Sequence, residues 1–588
     1  MTMKLKLIFI SACCLSNVAV AQTKSPVKIT GSMGASYEGY GLNLNPNTPF
    51  FYGQRRPWNQ FRVKFAPTMK IGENFTLPVN INFATKPTNF LGPFAGITAL
   101  GSQSFKQWLT NPLNNFSLNP KYKWAELQLG TQYLNYSELS TGDIGVFGAG
   151  FDLKPKNYLF KFFVGNSQQG VNYTLLPLPG SPGAYQRSHW MAQVGKEEEG
   201  KYKLAFNFAK GRDYFGSASP PPPLTNPREN FVTSFVSDVY FKKGYYFKSE
   251  LAQSIYTPDN TTPFPPAPGV KSFLPFIKAK AGTNKDYAAT AAIGKKSKNF
   301  DLGFNTRYLG AGFQSLGFPF QQSDKLDLTL NTRFNAWKDS GTGSYKMNVI
   351  ANIGNRINNF NIGPKANQFI GMINWFTQFN PHFSLNLSYN NFGFNTNGVS
   401  LGTATIKNVS NDFGVNPTYT WNNNKMSHLL SMSYNFSKYK ETVALPIAYV
   451  PTITNNTTHT ALLTYVPTYF NRKISPDFSL MYFQNKINPG FKLQLASLSA
   501  GLATPLLKEK LKWRGQLQYT VGKVAAFTKN DNVIASMTAD YALSKKVNWN
   551  NYFSTNYFKY GNELGSMPLL GANYLESTVR TGFTYRWK

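Results

Sequence analysis

The sequence predicts an all-β fold: one large antiparallel transmembrane β-barrel of about 26 strands (24–26), with short turns at one rim and long loops at the other. Three observations predict it. Side chains alternate apolar and polar along many segments, which is the period of a strand. Short polar turns alternate with long segments rich in Pro, Gly and Asn, the pattern of an up-and-down barrel. The final segment reads as a membrane strand: Val579, Thr581, Phe583, Tyr585 and Trp587 fall on one face, and Arg580, Gly582, Thr584 and Arg586 on the other. Two guanidinium groups are rare in a soluble core, whereas a watery lumen accommodates them.

At the other end, Lys4 and Lys6 precede an apolar run from Leu7 to Leu15, and Ala19-Val20-Ala21 gives a small-x-small cleavage pattern. Residues 1–21 are therefore expected to be a signal peptide and 22–588 the barrel. A lipoprotein-type box at Ile10-Ser11-Ala12-Cys13 competes, but it would leave a short apolar core. Both cysteines, Cys13 and Cys14, lie in the leader, so no thiol chemistry is expected of the remainder.

Between the ends, Phe75, Leu77, Val79, Ile81 and Phe83 alternate with Thr76, Pro78, Asn80, Asn82 and Ala84. Leu326, Leu328, Leu330 and Phe334 alternate with Asp327, Thr329, Asn331, Arg333 and Asn335. Phe383, Leu385, Leu387 and Tyr389 do so with Ser384, Asn386, Ser388 and Asn390, and Leu511, Trp513, Leu517 and Tyr519 with Lys512, Arg514, Gln516 and Gln518. Similar stretches lie around 61–69, 202–209, 300–308, 430–437 and 478–482, each near the roughly 9–11 residues of a tilted spanning strand. Tight turns are expected at Gly72-Glu73-Asn74, Lys154-Pro155-Lys156, Lys242-Lys243-Gly244, Asn380-Pro381-His382, Lys508-Glu509-Lys510 and Ser544-Lys545-Lys546. Long loops are expected over 39–57, 166–187, 211–229, 257–283, 393–410 and 438–456, facing the exterior, with the short turns facing the periplasm. About 25 strands are clear. An even count requires one more, placed in 87–118; the alternative is that 87–118 folds into the lumen as a partial plug.

Composition agrees. Mean hydropathy is −0.32 and apolar content 42%, values of a soluble chain, yet aromatic residues reach 16%. Barrels escape hydropathy because alternate residues face water, and their rings gather at the lipid interfaces. The net charge of +33 would suggest nucleic acid, but an exported chain meets little of it, and the lysines fall in separate turns.

Chemistry has few candidates. The histidines His189, His382, His428 and His459 show no metal-ligand spacing. Ser188 and His189 are adjacent, so on a strand they point to opposite faces, which spoils a nucleophile–base pair. Asp301, Asp327 and Glu250 are inward carboxylates with basic company, so ion pairing is expected of them. Gly148-Ala149-Gly150-Phe151 recurs as Gly310-Ala311-Gly312-Phe313, but neither opens a helix, which removes a phosphate-binding reading. No enzyme activity, cofactor or metal is expected.

Inward basic residues are the candidate lumen lining: Arg62, Lys64, Lys203, Arg307, Arg333, Lys512, Arg514, Arg580 and Arg586. They outnumber inward acids, and a cationic lumen attracts anions. The competing expectation is a lumen closed by ion pairs and Asn networks. Lys242, Lys243, Lys295, Lys296, Lys545 and Lys546 are expected at the periplasmic rim against lipid phosphates, although docking to an acidic partner would use them too. Val579, Phe583, Tyr585 and Trp587 form an aromatic terminal strand of the kind read by outer-membrane assembly machinery. Protein partners are expected, if anywhere, at the long loops.

Tyr52-Gly53-Gln54-Arg55-Arg56-Pro57, Phe75-Thr76-Leu77-Pro78 and Thr88-Asn89-Phe90-Leu91-Gly92-Pro93-Phe94 resemble a group of Bacteroidota outer-membrane barrels. Leu118 to Trp124 and Phe147 to Phe151 continue the resemblance, which covers about the first third of the chain. It implies the fold and the outer membrane and supplies no substrate. Some large barrels of that phylum serve export or surface-lipoprotein assembly. Two functions are therefore expected to compete: a passive channel for anionic or polar solutes, and a non-conducting member of an assembly, secretion or anchoring complex.

Overall fold

The computed structural model describes residues 27–44, 56, 59–84, 115–142, 144–173, 183–223, 225–318, 321–340, 343–363, 365–396, 405–444, 452–488, 490–524, 529–559 and 573–587. The expected leader and two of the segments carrying the family resemblance, 52–57 apart from 56 and 88–94, lie outside them.

One antiparallel sheet holds 27 strand segments. Phe116–Leu118 and Lys121–Tyr122 occupy a single position between Phe75–Ala84 and Ala125–Leu134, so the barrel has 26 staves (27 − 1). This interrupted stave supplies the extra strand that an even count required, but only Phe116–Leu118 falls inside the expected 87–118, of which 87–114 lie outside the described residues. Pro120 breaks it, because proline has no N–H to give the ladder. The chain recovers by routing other bonds: Asn119 N–H donates to the Pro78 carbonyl at 3.1 Å and Leu127 N–H to the Pro120 carbonyl at 2.9 Å.

Closure comes from the ends. The first strand, Val27–Leu44, pairs with the last, Tyr574–Trp587, from Gly31↔Trp587 to Leu44↔Tyr574. Every sheet edge is thereby satisfied, as a bilayer requires. The outer wall is apolar: Phe206 (56% exposed), Leu251 (62%), Ile293 (60%), Leu498 (55%) and Leu517 (55%) face outward from midspan, an exposure no soluble fold sustains. On the last strand Val579 and Phe583 are exposed, and Trp587 meets Phe65 edge-on at 6.0 Å. Among the described residues no helix is long and apolar enough to cross a membrane. Leu517→Arg at this lipid face is expected to cost about 2–4 kcal/mol, read as an earlier urea midpoint for the folded barrel in lipid.

All six expected tight turns form at one rim, the rim shared by Val27 and Trp587. At Lys242–Gly244 the chain needs two positive φ angles, Lys243 at 62° and Gly244 at 80°. A Cβ at Gly244 would strike the Lys296 carbonyl, so this turn requires glycine. Strand lengths depart from expectation. They reach 19 residues at Met426–Ala444, and hairpins at Thr405–Asn422 and Met426–Ala444 continue through stretches expected to be loop. The ladder persists beyond the apolar wall because paired backbone is still better satisfied than unpaired backbone. The far rim also carries short connections, such as 359–365 and 489–490.

Candidate functional site: an unevenly filled lumen

Across the strands from Tyr158–Gln168 to Phe300–Leu309, the lumen face carries an apolar shelf. Phe163 pairs with Met191, Met191 with Ala209 and Ala209 with Val232; Ala252 pairs with Ala288 and Ala288 with Leu309. The three alanines leave room above the shelf, and two connections of the far rim fill it. Tyr136 and Leu139 from residues 135–142, and Phe313 from residues 310–318, join the shelf in one buried cluster. Leu139, Ser140 and Thr141 are fully buried.

Polar contacts fasten these loops to the wall and to each other. Leu139 N–H donates to Glu250 Oε2 at 3.1 Å, and Gln193 Nε2 donates to the Tyr136 carbonyl at 2.8 Å. Ser315 Oγ donates to the Ser140 carbonyl at 2.7 Å, and Gly142 N–H to the Gly317 carbonyl at 2.8 Å. Asn230 clamps the second loop, giving Nδ2–H to the Gln314 carbonyl at 3.0 Å and accepting Leu316 N–H at 3.1 Å. A third connection, 258–283, lays Phe276 on Phe231 with ring centroids 4.9 Å apart and buries Ile277. Among the described residues, these three connections thus fold inward and pack on the lumen face of this part of the wall.

This filling escaped the sequence reading, which placed the long loops outside and raised a partial plug only as the alternative to a strand in 87–118. The available signal was the inward face: Ala288, Ala292, Ala209 and Ala252 stand where a hydrated lumen would carry polar groups. The repeated Gly-Ala-Gly-Phe segments are explained by packing. A Cβ at Gly148 would strike the Val164 carbonyl across the ladder, and one at Gly312 would strike Asn284.

The nine predicted lining cations divide into two groups. On the filled side, Arg307 meets Glu138 at 3.3 Å, Arg333 meets Asp301 at 2.8 Å, and Lys203 stands in register with Asp238. Near the seam, Arg62, Lys64, Arg580 and Arg586 line one cavity of about 680 Å³. All four are exposed, and Asp540 is the carboxylate in that lining among the described residues. Arg580 donates Nε and Nη2 to Glu38 Oε2 at 3.0 and 2.8 Å, and Arg56 approaches Glu38 at 3.3 Å. Arg514 meets Asp477 at 3.2 Å, and Lys512 stands opposite Asp540 in the ladder. Two corrections follow. Arg307, Arg333, Arg514 and Arg580 each hold a carboxylate, so the cationic surplus is narrower than counting suggests. Glu250 lacks the basic company expected of it, because it receives a loop N–H instead. Asp301 and Asp327 pair as expected, the latter with Arg356 Nε and Nη2 at 2.6 and 3.0 Å.

Lys242, Lys243, Lys295, Lys296, Lys545 and Lys546 all lie at the short-turn rim, where Lys295 Nζ sits 5.0 Å above the Tyr245 ring and Lys196 Nζ 4.9 Å above Tyr158. At the same rim a hydrogen bond from Lys473, and its charge, hold the Glu509 carboxyl below its usual range. The histidines are scattered: His189 Nε2 bonds Ser167 at 2.9 Å, His382 Nδ1 the Thr420 carbonyl at 2.8 Å, His428 Nδ1 Tyr465 at 2.8 Å and His459 Nδ1 Tyr434 at 2.9 Å. Ser188 contacts Tyr214 on the other face.

A closed antiparallel sheet with an apolar outer wall and a polar, charged lumen defines a transmembrane β-barrel of the outer-membrane type. No protein-family model matches the chain, and no curated protein matches it. Among solved structures it is similar to a copper transporter, OprC (8% identity, TM-score 0.38, covering 95% of this chain and 80% of that one). It is also similar to the translocation pore of the P pilus usher PapC (8%, 0.35, 94% and 99%) and to the FrpB iron transporter of Neisseria meningitidis (12%, 0.33, 79% and 87%). Likenesses this distant carry no argument about activity, and the fold stands on its own strand pairing.

Proposed function

We propose that this barrel is an outer-membrane channel for small anionic and polar solutes, with its conduit on the seam side of the lumen. The observation that carries the reading is the seam cavity, where exposed Arg62, Lys64 and Arg586 stand with the one carboxylate Asp540, the fourth cation, Arg580, being paired with Glu38. Such an excess concentrates anions and repels cations at close quarters. The in-folded loops 135–142, 258–283 and 310–318 occupy the wall away from that cavity. The lysine rim fits phosphate headgroups of the inner leaflet, and the strand ending in Trp587 fits recognition by outer-membrane assembly machinery.

Reconstitution into planar bilayers tests the reading. Under a salt gradient the reversal potential should indicate anion preference. The triple variant Arg62→Glu, Lys64→Glu and Arg586→Glu, which spares the Arg580–Glu38 pair, should carry the preference through neutrality toward cations. Silent bilayers, or a selectivity that the triple variant leaves unchanged, would remove the channel.

A specific observation favours the rival, a barrel serving an assembly, secretion or anchoring complex. The 258–283 connection keeps Phe264 (67%) and Leu274 (70%) exposed at the long-loop rim. Exposed rings and aliphatics on a proline-stiffened loop suit a protein partner. Purification in mild detergent separates the two: stoichiometric co-purifying proteins favour the rival, and a barrel that emerges alone and conducts eliminates it.

A further inference from the structure

Beneath the in-folded loop lies a second cavity, of about 800 Å³, roofed by Asn135, Tyr136, Ser137 and Glu138 and walled by the lumen faces of the adjoining strands. Its wall is built in rows. Two residues nearer the short-turn rim than the apolar shelf, Glu250, Thr290, Arg307, Asp327 and Arg356 stand opposite one another across successive strands. Closer still to that rim, Lys203, Asp238 and Lys248 form a row of alternating charge.

We propose that this cavity is a binding site for an uncharged, polyhydroxylated solute of small-oligosaccharide size, chemically distinct from the cation-lined seam. Charge is the first argument. Lys203, Lys248, Arg307 and Arg356 are matched by Glu138, Asp238, Glu250 and Asp327, four against four. Arg307–Glu138 and Arg356–Asp327 are direct pairs. A wall neutralised within itself offers no net field to an ion, and an ion entering would break pairs that already exist. A hydroxyl breaks nothing: it adds a charge-assisted hydrogen bond to a guanidinium or carboxylate that keeps its partner. Hydrogen-bonding capacity is the second argument. Arg307 Nε and Asn352 Oδ1, a donor and an acceptor, are buried without a protein partner, and both residues line the cavity. Asn305, Asn331, Thr290 and Thr329 add groups that both give and accept. Size is the third, since ligand pockets run from about 300 to 1,000 Å³. The site differs from the seam cavity in the one respect that matters: the seam selects by charge, and this cavity by hydroxyl pattern.

The test is calorimetric titration of the full-length, detergent-solubilised barrel with sucrose, raffinose and maltotriose, alongside glucuronate and glycine betaine as anionic and zwitterionic probes. At least one neutral sugar should bind saturably and more tightly than either charged probe. Asn352→Leu should weaken that binding about tenfold, the worth of one buried hydrogen bond. Thr329→Val is the companion variant should Asn352→Leu lose its heat-modifiable folded band, and the Arg62/Lys64/Arg586 triple variant should bind as the parent does. Binding is read without current, so the outcome is independent of whether the seam conducts. Absence of binding by all three sugars would overturn the proposal. So would tighter binding of glucuronate or betaine, or binding that neither cavity variant weakens.

Discussion

Deleting Tyr136–Thr141 and bridging the gap with two glycines is expected to raise single-channel conductance severalfold while the barrel stays folded. The deleted residues carry the loop's side of the closure: Leu139 on the apolar shelf, the N–H held by Glu250, and the Ser140 carbonyl held by Ser315. Without them the second loop loses its bond to Ser140 and keeps its hold on the wall through Asn230, and the cross-section at the shelf opens to water. The wall itself is unaffected, since its ladder bonds do not pass through the loop. Leu139→Glu is a subtler version, because it places a carboxylate in an apolar cluster beside Glu250, where an unpaired charge costs several kcal/mol and drives the loop out. A parent that conducts and a folded deletion variant that conducts severalfold more would identify the loops as the restriction. Unchanged conductance from a folded deletion variant would mean that the seam alone sets the current, and the plug assignment would fall.

Removal of the last strand is expected to have the largest effect on the fold. A chain ending before Tyr574 leaves Gly31–Leu44 of the first strand and Val547–Phe558 of its other neighbour each with one edge unpaired. In hydrocarbon each unpaired backbone group costs several kcal/mol, so two raw edges exceed any plausible stability of the sheet. The Glu38 carboxylate also loses Arg580. The expected readout is loss of the faster-migrating band on gels run without boiling, together with full protease sensitivity. A heat-modifiable, protease-resistant barrel of one fewer stave would refute closure through this pair.

The sequence made the wall legible because strand periodicity is local. Val579 and Phe583 face lipid and Arg580 and Arg586 face the lumen, as alternation requires, and the turns at Lys242–Gly244 and Ser544-Lys545-Lys546 form where their residues demand. Even the interrupted strand at Phe116–Leu118 and Lys121–Tyr122 was recoverable from the need for an even count. Strand length was not, because nothing in alternation says where pairing stops once the chain leaves the bilayer. The lining was half legible: that Arg62, Lys64, Arg307 and Arg580 point inward follows from period two, but which of them meet acids does not.

What the sequence by itself determined is therefore the barrel, its stave number to within about two, the short-turn rim and the alternation of inward and outward side chains, set mostly by residues within a few positions of each other. What only the tertiary structure decided is the content of the lumen. The Ser315–Ser140 bond joins residues 175 apart and the Arg580–Glu38 pair residues 542 apart. Such contacts depend on how the closed barrel brings distant strands to one interior, and that convergence leaves no trace in local pattern. The alanines of the shelf read simply as small inward residues until the loops that rest on them are in place.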